Sequence, residues 1–240
     1  MCTVSFIARR RGYLLAMNRD ENLTRVKGLP PKMILRDARK IISPSEPGGG
    51  TWIALNDAGV TFALINWYSI SARVKVNAVS RGVVVNSVSA QVSPLLTAEI
   101  LTALPLLRMN PFRLIGVFPA TQEIFEWRWD LKKLACKKYS WHSQQWISSG
   151  FDEPTAQRIR SETFRQMLRQ KSAGSLDWLR RVQRSHAPEC GPFSICMHRE
   201  DAATVSCTEV AVSSRAVRMS YHAAAPCKGS GQFLKVYFRR

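Results

Sequence analysis

The sequence has no apolar segment that approaches the roughly 18 consecutive residues needed to span a bilayer. Its start also lacks the apolar core and the small-residue cleavage site of a secretory signal. Acidic residues are scarce, since 17 Asp and Glu stand against 35 Lys and Arg, for a formal net charge of +18. From these features we expect a cytoplasmic protein with no transmembrane segment and a strongly basic surface.

Closely spaced cysteine pairs are missing as well, and a chain of 240 residues does not need disulfides to fold, so we expect reduced thiols. A zinc site could be imagined from Cys190, Cys196, His198 and Cys207, but this spacing fits no standard ligand framework. The histidines show no H-E-x-x-H or comparable ligand spacing. The sequence therefore predicts no metal site and no cofactor. The six cysteines are Cys2, Cys136, Cys190, Cys196, Cys207 and Cys227.

Nucleotide- and nucleic-acid-binding motifs are also lacking. The three glycines at 48–50 are not followed by the Lys-Ser/Thr of a phosphate loop. The basic residues are dispersed, and no RNA- or DNA-binding motif accompanies them. A positive field of this size attracts anions in general, so anionic substrates, nucleic acid and membrane surfaces stay open as partners.

The first third of the chain is rich in β-strand signals. Residues 3–8 and 13–18 are apolar runs separated by a polar tip that ends in Gly12, which predicts a hairpin. Residues 51–56 and 60–66 predict a second hairpin, and the Pro- and Gly-rich segment 28–50 between the two hairpins reads as a loop. We therefore expect four strands in this third.

Helices are predicted in the middle of the chain by apolar residues at spacings of three and four. They cover residues 80–88 and 94–104 and, after strands at 113–118 and 124–129, residues 154–170 and 176–182. Strands at 193–197, 204–212 and 217–222 follow. Strands, then helices, then strands indicate an α+β fold, and because no linker marks a boundary we expect one domain over residues 1–240.

Cys2 combines two reactive groups if Met1 is removed. Its thiol would then stand beside a free α-amine, whose ordinary pKa of about 7.7 to 8 suits a base for that thiol. The strand that pairs with this start ends in four polar residues, Asn18, Arg19, Asp20 and Glu21, and the hairpin returns them to the neighbourhood of Cys2. A carboxylate there could bind the ammonium group, and a guanidinium could lower the thiol pKa or bind a substrate carboxylate.

These segments resemble the NRDE proteins, also called the transport and Golgi organisation 2 family. The resemblance rests on MCT at the start, AMNRDEN at 16–22, GGGTWIALNDAGVTFALINW at 48–67 and SRG at 80–82, with weaker similarity at 148–154 and 191–201. It implies the four-layer αββα sandwich of N-terminal-nucleophile hydrolases. The wider relatives, bile salt hydrolases and penicillin V acylases, share an initial Cys-Thr, a downstream Asn-x-Asp and an apolar strand that ends in Asn.

The resemblance also implies roles for particular residues. Cys2 matches the nucleophile, Asp20 the aspartate that holds the amine, and Asn66 a donor of the oxyanion hole. Asn18 matches a neighbouring position of the family motif and is, with Arg19 and Arg199, a candidate for substrate binding, and Arg19 could alternatively be structural. Arg199 stands loosely at the position of a late arginine of the acylases. Their second oxyanion donor is an Asn, and it falls near residues 148–150, where this chain has none.

Two classes of function follow. The first is hydrolysis of a carbon–nitrogen amide bond in a small-molecule substrate. If the entrance to the active site is basic, it would favour an anionic substrate. The second is non-catalytic handling of haem or lipid, to which the family is also linked, with Cys2 as an iron ligand or as part of a pocket wall. A basic protein associated with nucleic acid is a third and weaker alternative.

Overall fold

A computed structural model describes residues 1–229 and 234–239 of the chain. The chain divides into two compact units, which are described separately. The first comprises residues 1–27, 142–214 and 218–235, and the second comprises residues 28–141, 215–217 and 236–240.

In chain order the elements are β1 (Cys2–Arg9), β2 (Gly12–Asn22), β3 (Leu29–Arg36), β4 (Arg39–Ser45), β5 (Ile53–Asn56), β6 (Thr61–Asn66), α1 (Gly82–Val88), α2 (Pro94–Thr102), a 3-10 turn (Leu106–Arg108), β7 (Phe112–Phe118), β8 (Glu123–Trp129), β9 (Leu134–Tyr139), β10 (Gln144–Ser148), α3 (Glu153–Leu168), α4 (Leu176–Arg184), β11 (Ala202–Ser213), β12 (Ala216–His222) and β13 (Leu234–Arg239).

The first sheet has six strands in the order β10-β1-β2-β11-β12-β13, and the described pairings of β1 and β2 are antiparallel. Gly12 turns the β1–β2 hairpin with φ +118°, and a Cβ at this position would overlap the carbonyl oxygen of Val212. Apolar residues of β1 and β2 form a core with α4 and the end of α3, in which Trp178 is fully buried. This packing fixes the strand that begins at Cys2.

The second sheet has seven strands in the order β3-β4-β5-β6-β7-β8-β9, each antiparallel to the next. The helix α1 buries Val84, Val85 and Val88 in a core that also contains Phe62 and Trp127 from the sheet. The asparagine predicted for the oxyanion hole, Asn66, is the last residue of β6, where it is paired with Phe112.

Most of the predicted elements are confirmed. Both hairpins, the four helices, the strands at 113–118 and 124–129, and the strands at 204–212 and 217–222 occur with boundaries shifted by a few residues. The mixed α+β class is confirmed by two large antiparallel sheets and few helices.

Two predictions about local structure are wrong. Residues 28–50 are not only a loop, because they contain β3 and β4, which brings the strands of the first third to six. Prolines 30 and 31 are tolerated because β3 is an edge strand and its register shifts at that point. Residues 193–197 form turns, because the hydroxyl of Ser194 donates to the carbonyls of Gly191 and Cys196 and thereby folds the segment on itself.

Strands β9, β10 and β13 were not predicted from the sequence. β9 is mostly exposed and rich in lysine, so it carries no clear alternation of apolar and polar residues. Among the described residues, no helix is both long enough and apolar enough to cross a bilayer.

Candidate active site

Cys2 begins β1 and lies between two neighbouring strands. It pairs with Arg19 of β2 on one side and with Ser148 of β10 on the other. Because strands cover both edges, Cys2 is only 8% exposed. The predicted hairpin thus brings the NRDE segment to the start of the chain.

Met1 and Asp20 are joined by two main-chain hydrogen bonds. The ammonium nitrogen of Met1 donates to the carbonyl oxygen of Asp20 at 2.9 Å, and the amide of Asp20 donates to the carbonyl of Met1 at 2.9 Å. The positive charge of the terminus is therefore held beside Asp20, one residue away from the thiol. Removal of Met1 would transfer this charge to Cys2 itself.

The carboxylate of Asp20 is completely buried and accepts two side-chain hydrogen bonds. Thr204 donates its hydroxyl to Oδ1 at 2.7 Å, and Arg160 donates Nη1 to Oδ2 at 3.2 Å. Thr204 is opposite Asp20 in β11, just before a register shift in that strand. These bonds fix the position of the carboxylate and satisfy both of its oxygens in a site without access to water.

Arg160 was not identified from the sequence. It lies on α3, its side chain is fully buried, and it also donates to the hydroxyl of Thr3 at 2.8 Å and to the carbonyl of Pro192 at 3.2 Å. A signal was present, because Arg160 follows Ala156 by four positions and precedes Thr163 by three, which puts it on the buried face of the helix. An arginine at such a position requires a buried partner.

Asn18 is fully buried, and its amide nitrogen is already engaged by the main chain. It donates to the carbonyl of Gln183 at 2.9 Å and to that of Ile195 at 3.0 Å. These contacts tie β2 to the end of α4 and to the segment before β11. The described contacts of Asn18 are therefore structural, and its predicted role in substrate binding remains a prediction.

Arg19 and Glu21 line a cavity at the end of β2. A nitrogen of Arg19 lies 3.2 Å from a carboxylate oxygen of Glu21, and Arg25 approaches the same oxygen to 2.8 Å. The cavity encloses about 380 Å³, including the solvent at its mouth, and Lys27 adds a further positive charge to its wall. Three cations against one carboxylate make the cavity wall positive. Its apolar lining includes Leu23, Val26 and Val205.

The charges around Cys2 act on its thiol in opposite directions. Burial is the largest effect and raises the pKa of Cys2, and the negative charges of Asp20 and Glu21 raise it further. The ammonium group of the terminus and Arg19 lower it. Burial prevails while Met1 is in place, so the thiol is protonated at neutral pH.

Residues 148–150, where the family resemblance puts a second oxyanion donor, begin with the last residue of β10. The hydroxyl of Ser148 is buried and has no hydrogen-bond partner among the residues that the structure describes. Ser149 lies close to Met1, with its hydroxyl oxygen 4.0 Å from the methionine sulfur. Two serines without an Asn therefore occupy the end of the strand that pairs with Cys2.

The described contacts of Arg199 do not involve Cys2. It pairs with Asp201 at 2.8 Å, and its guanidinium carbon lies 4.8 Å from the centre of the Phe151 ring. Asn66 belongs to the second unit, where its amide donates to the hydroxyl of Tyr68 at 2.9 Å. The first unit thus brings Cys2, Asn18, Arg19 and Asp20 together, whereas the predicted roles of Arg199 and Asn66 remain predictions.

Comparison with solved structures identifies the fold. The chain is similar to a penicillin V acylase from Agrobacterium tumefaciens, with a TM-score of 0.60 and 8% identity over 98% of this chain and 86% of that one. It is similar to a mutant of the conjugated bile acid hydrolase from Clostridium perfringens with the same score and identity, over 98% and 92% of the two chains. Another variant of that hydrolase gives a TM-score of 0.55 at 8% identity, over 100% and 97%. The predicted fold of the N-terminal-nucleophile hydrolases is confirmed.

Within this fold class the sequence identifies the family. The profile of Transport and Golgi organisation 2 matches residues 1–134, which is more than half of the chain. The chain belongs to this family, as its motifs predicted. No curated protein sequence gives a significant match.

Proposed function

We propose that the protein hydrolyses a carbon–nitrogen amide bond in a small molecule, with Cys2 as nucleophile after removal of Met1. The observation that carries this proposal is the position of Cys2 beside a buried, fixed carboxylate and the terminal ammonium group. This combination supplies a nucleophile, a base on the same residue and a counter-charge for that base. The solved structures similar to this chain are named as an acylase and a hydrolase, which agrees with the same chemistry.

The reaction would proceed in two proton-balanced steps. The α-amine of Cys2 takes the thiol proton, sulfur attacks the amide carbonyl, and a tetrahedral oxyanion forms. When the carbon–nitrogen bond breaks, the α-ammonium returns its proton to the leaving nitrogen and a thioester remains. Water then attacks the thioester, gives its proton to the amine and releases the acid together with the thiol.

Asp20 has a positioning role in this scheme. Its carboxylate lies within electrostatic range of the thiol and would stabilise the ammonium that forms on Cys2. The oxyanion needs hydrogen-bond donors aimed at it, and Asn66 is the donor that the family resemblance predicts.

The cavity beside Arg19 favours a substrate with a negative charge. Its wall carries Arg25 and Lys27 as well as Arg19, whereas Glu21 is its single carboxylate. An acyl or amine group that bears a carboxylate would interact favourably with this wall, and Leu23 and Val26 offer apolar contact. The substrate class we propose is therefore an anionic amide.

Intact-protein mass spectrometry with a thiol-reactive amide probe tests the proposal. We expect Met1 to be absent, and we expect one probe molecule to add to Cys2 faster than to any other thiol. Cys2→Ala should abolish this fast phase, whereas Cys136→Ser, at an exposed thiol, should leave it unchanged. Retention of Met1, or labelling of Cys2 no faster than Cys136 and Cys190, would contradict the proposal.

Carriage of haem or lipid on the same fold is the second candidate. The same cavity offers basic side chains that could hold propionates or head groups, and an apolar lining that could contact one edge of the ring or part of a chain. Titration with haem should then produce a saturable Soret band that weakens in Arg25→Gln. A Soret change that is identical in the wild type and in this variant would exclude the cavity as the binding site.

A further inference from the structure

Four metal-ligating side chains, none of which hydrogen-bonds Asp20, meet in the first unit. They are His186, Cys196, His198 and Cys227, and each directs one ligand atom inward so that the four atoms lie within 4.8 Å of one another. Nε2 of His198 is 3.3 Å from the sulfur of Cys227 and 3.6 Å from that of Cys196. The zinc site imagined from the sequence shares Cys196 and His198 with this cluster, whereas Cys190 and Cys207 do not belong to it.

The main chain holds this cluster from several directions. His186 follows the end of α4, and the neighbouring Ser185 accepts a hydrogen bond from the amide of Cys196 at 3.0 Å. The amide of His198 donates to Gly191 at 3.2 Å, and Cys227 lies beyond β12. Residues distant in sequence are thus brought to one point, which explains why the spacing along the chain matched no ligand framework.

The distances agree with tetrahedral coordination by two sulfurs and two nitrogens. Zinc–sulfur bonds of about 2.3 Å and zinc–nitrogen bonds of about 2.0 to 2.1 Å separate neighbouring ligand atoms by roughly 3.4 to 3.8 Å. The two sulfur–nitrogen separations differ little from this range. Small side-chain movements would therefore let all four atoms contact one ion.

An unsatisfied nitrogen supports the same conclusion. Nε2 of His186 is buried and has no hydrogen-bond partner among the residues that the structure describes. The rings of His186 and His198 are edge to face, with centroids 5.1 Å apart, so both reach the same point. A buried imidazole nitrogen without a partner is costly, and a metal ion would satisfy it.

We propose that His186, Cys196, His198 and Cys227 bind one Zn²⁺ in a closed, four-coordinate structural site. Two thiolates and two neutral imidazoles are a donor set that suits zinc, and four protein ligands leave no position for substrate. Binding forms two zinc–sulfur and two zinc–nitrogen bonds and releases the two thiol protons to solvent.

The site would brace the segment that supports Asp20. Met197 lies between two of the ligands, and its amide donates to the hydroxyl of Thr204 at 2.9 Å. The amide of Thr204 donates in turn to the carbonyl of Met197 at 2.8 Å, while its hydroxyl donates to Asp20. An ion bound by Cys196 and His198 would fix Met197 and, through it, Thr204.

Metal titration of the full chain tests this proposal. Protein stripped of metal and kept reduced should bind one Co²⁺ with the intense visible absorption of a tetrahedral thiolate complex, and one Zn²⁺ should displace it. Cys227→Ser and His186→Ala should each weaken binding by more than about 100-fold, which exceeds the 10–100-fold effect of outer-shell changes. Cys190→Ser, at an exposed cysteine of the same segment, should bind as the wild type does.

Alkylation of the wild-type protein with and without Zn²⁺ tests the site even if a variant fails to fold. Zn²⁺ should protect Cys227 from alkylation and leave Cys190 unprotected. The proposal is overturned by absence of the tetrahedral cobalt spectrum, by equal alkylation of Cys227 with and without zinc, or by unchanged binding in folded variants. It is also overturned if protein purified without oxygen contains a disulfide between Cys196 and Cys227 and no metal.

Discussion

Arg160 and Asp20 form an ion pair in which neither side chain is exposed, with Nη1 and Oδ2 3.2 Å apart. Such a pair is costly to break, because the remaining charge stays buried without a partner. Arg160 also binds Thr3 and Pro192, so it connects α3 to β1 and to the segment before β11.

Replacement of Arg160 by methionine should therefore destabilise the protein strongly. We expect a loss of about 3–5 kcal/mol in the free energy of unfolding, measured by urea denaturation, because Asp20 would keep its buried charge. Arg165→Met is the matched control, since Arg165 lies on the same helix and forms an exposed pair with Glu162 that contributes about 1 kcal/mol or less. Equal stability of the two variants would show that Arg160 does not compensate the charge of the Asp20 carboxylate.

Thr204 offers a more conservative test of the same carboxylate. Thr204→Val keeps the shape of the side chain and removes the hydroxyl that donates to Asp20, so we expect a loss of about 1.5–3 kcal/mol. Thr208→Val on the same strand is the control, because the Thr208 hydroxyl is buried without a partner among the described residues and its removal should be neutral or stabilising. Urea denaturation of both variants measures the difference, and equal losses would argue against a specific role for Thr204.

The sequence predicted the parts of the site that depend on local order. A hairpin with a short tip fixes the register between Cys2 and residues 18–21, so alternation and turn residues were enough to bring them together. Arg160 and Thr204 depend instead on how α3 and β11 pack on that hairpin. A period of 3.6 residues indicates which face of a helix is buried, but it does not identify the partner on the other side.

The metal-ligand cluster was missed for a related reason. Its four residues come from the end of α4, from turns that were predicted as a strand, and from a loop after β12. The prediction of a strand at 193–197 put Cys196 into an alternating pattern and left His198 just beyond the end of that strand. Only the turn at Ser194 and the return of the chain after β12 bring Cys227 to them.

The reactivity of Cys2 should depend on pH and on the presence of Met1. With Met1 retained, burial raises the pKa of the thiol, so alkylation should be slow at neutral pH and accelerate as the pH rises towards that raised value. With Met1 removed, the ammonium on Cys2 itself should lower the pKa and move the profile to lower pH. Alkylation rates of the processed chain and of an N-terminally extended chain measure this shift, and coincident profiles would contradict it.

The cavity at the end of β2 should select for negative charge on the substrate. Arg25→Gln removes a cation from its wall. For an anionic amide we expect KM to rise about three- to tenfold with little change in kcat, because Arg25 would contact the charged group of the substrate and not the reacting bond. Arg165→Gln, which removes the same charge from an exposed position on α3, should leave KM unchanged. The difference between the two variants should shrink as salt is added, since screening weakens exposed charges. If KM rises equally for a neutral amide, Arg25 shapes the cavity and does not discriminate between charged and neutral substrates.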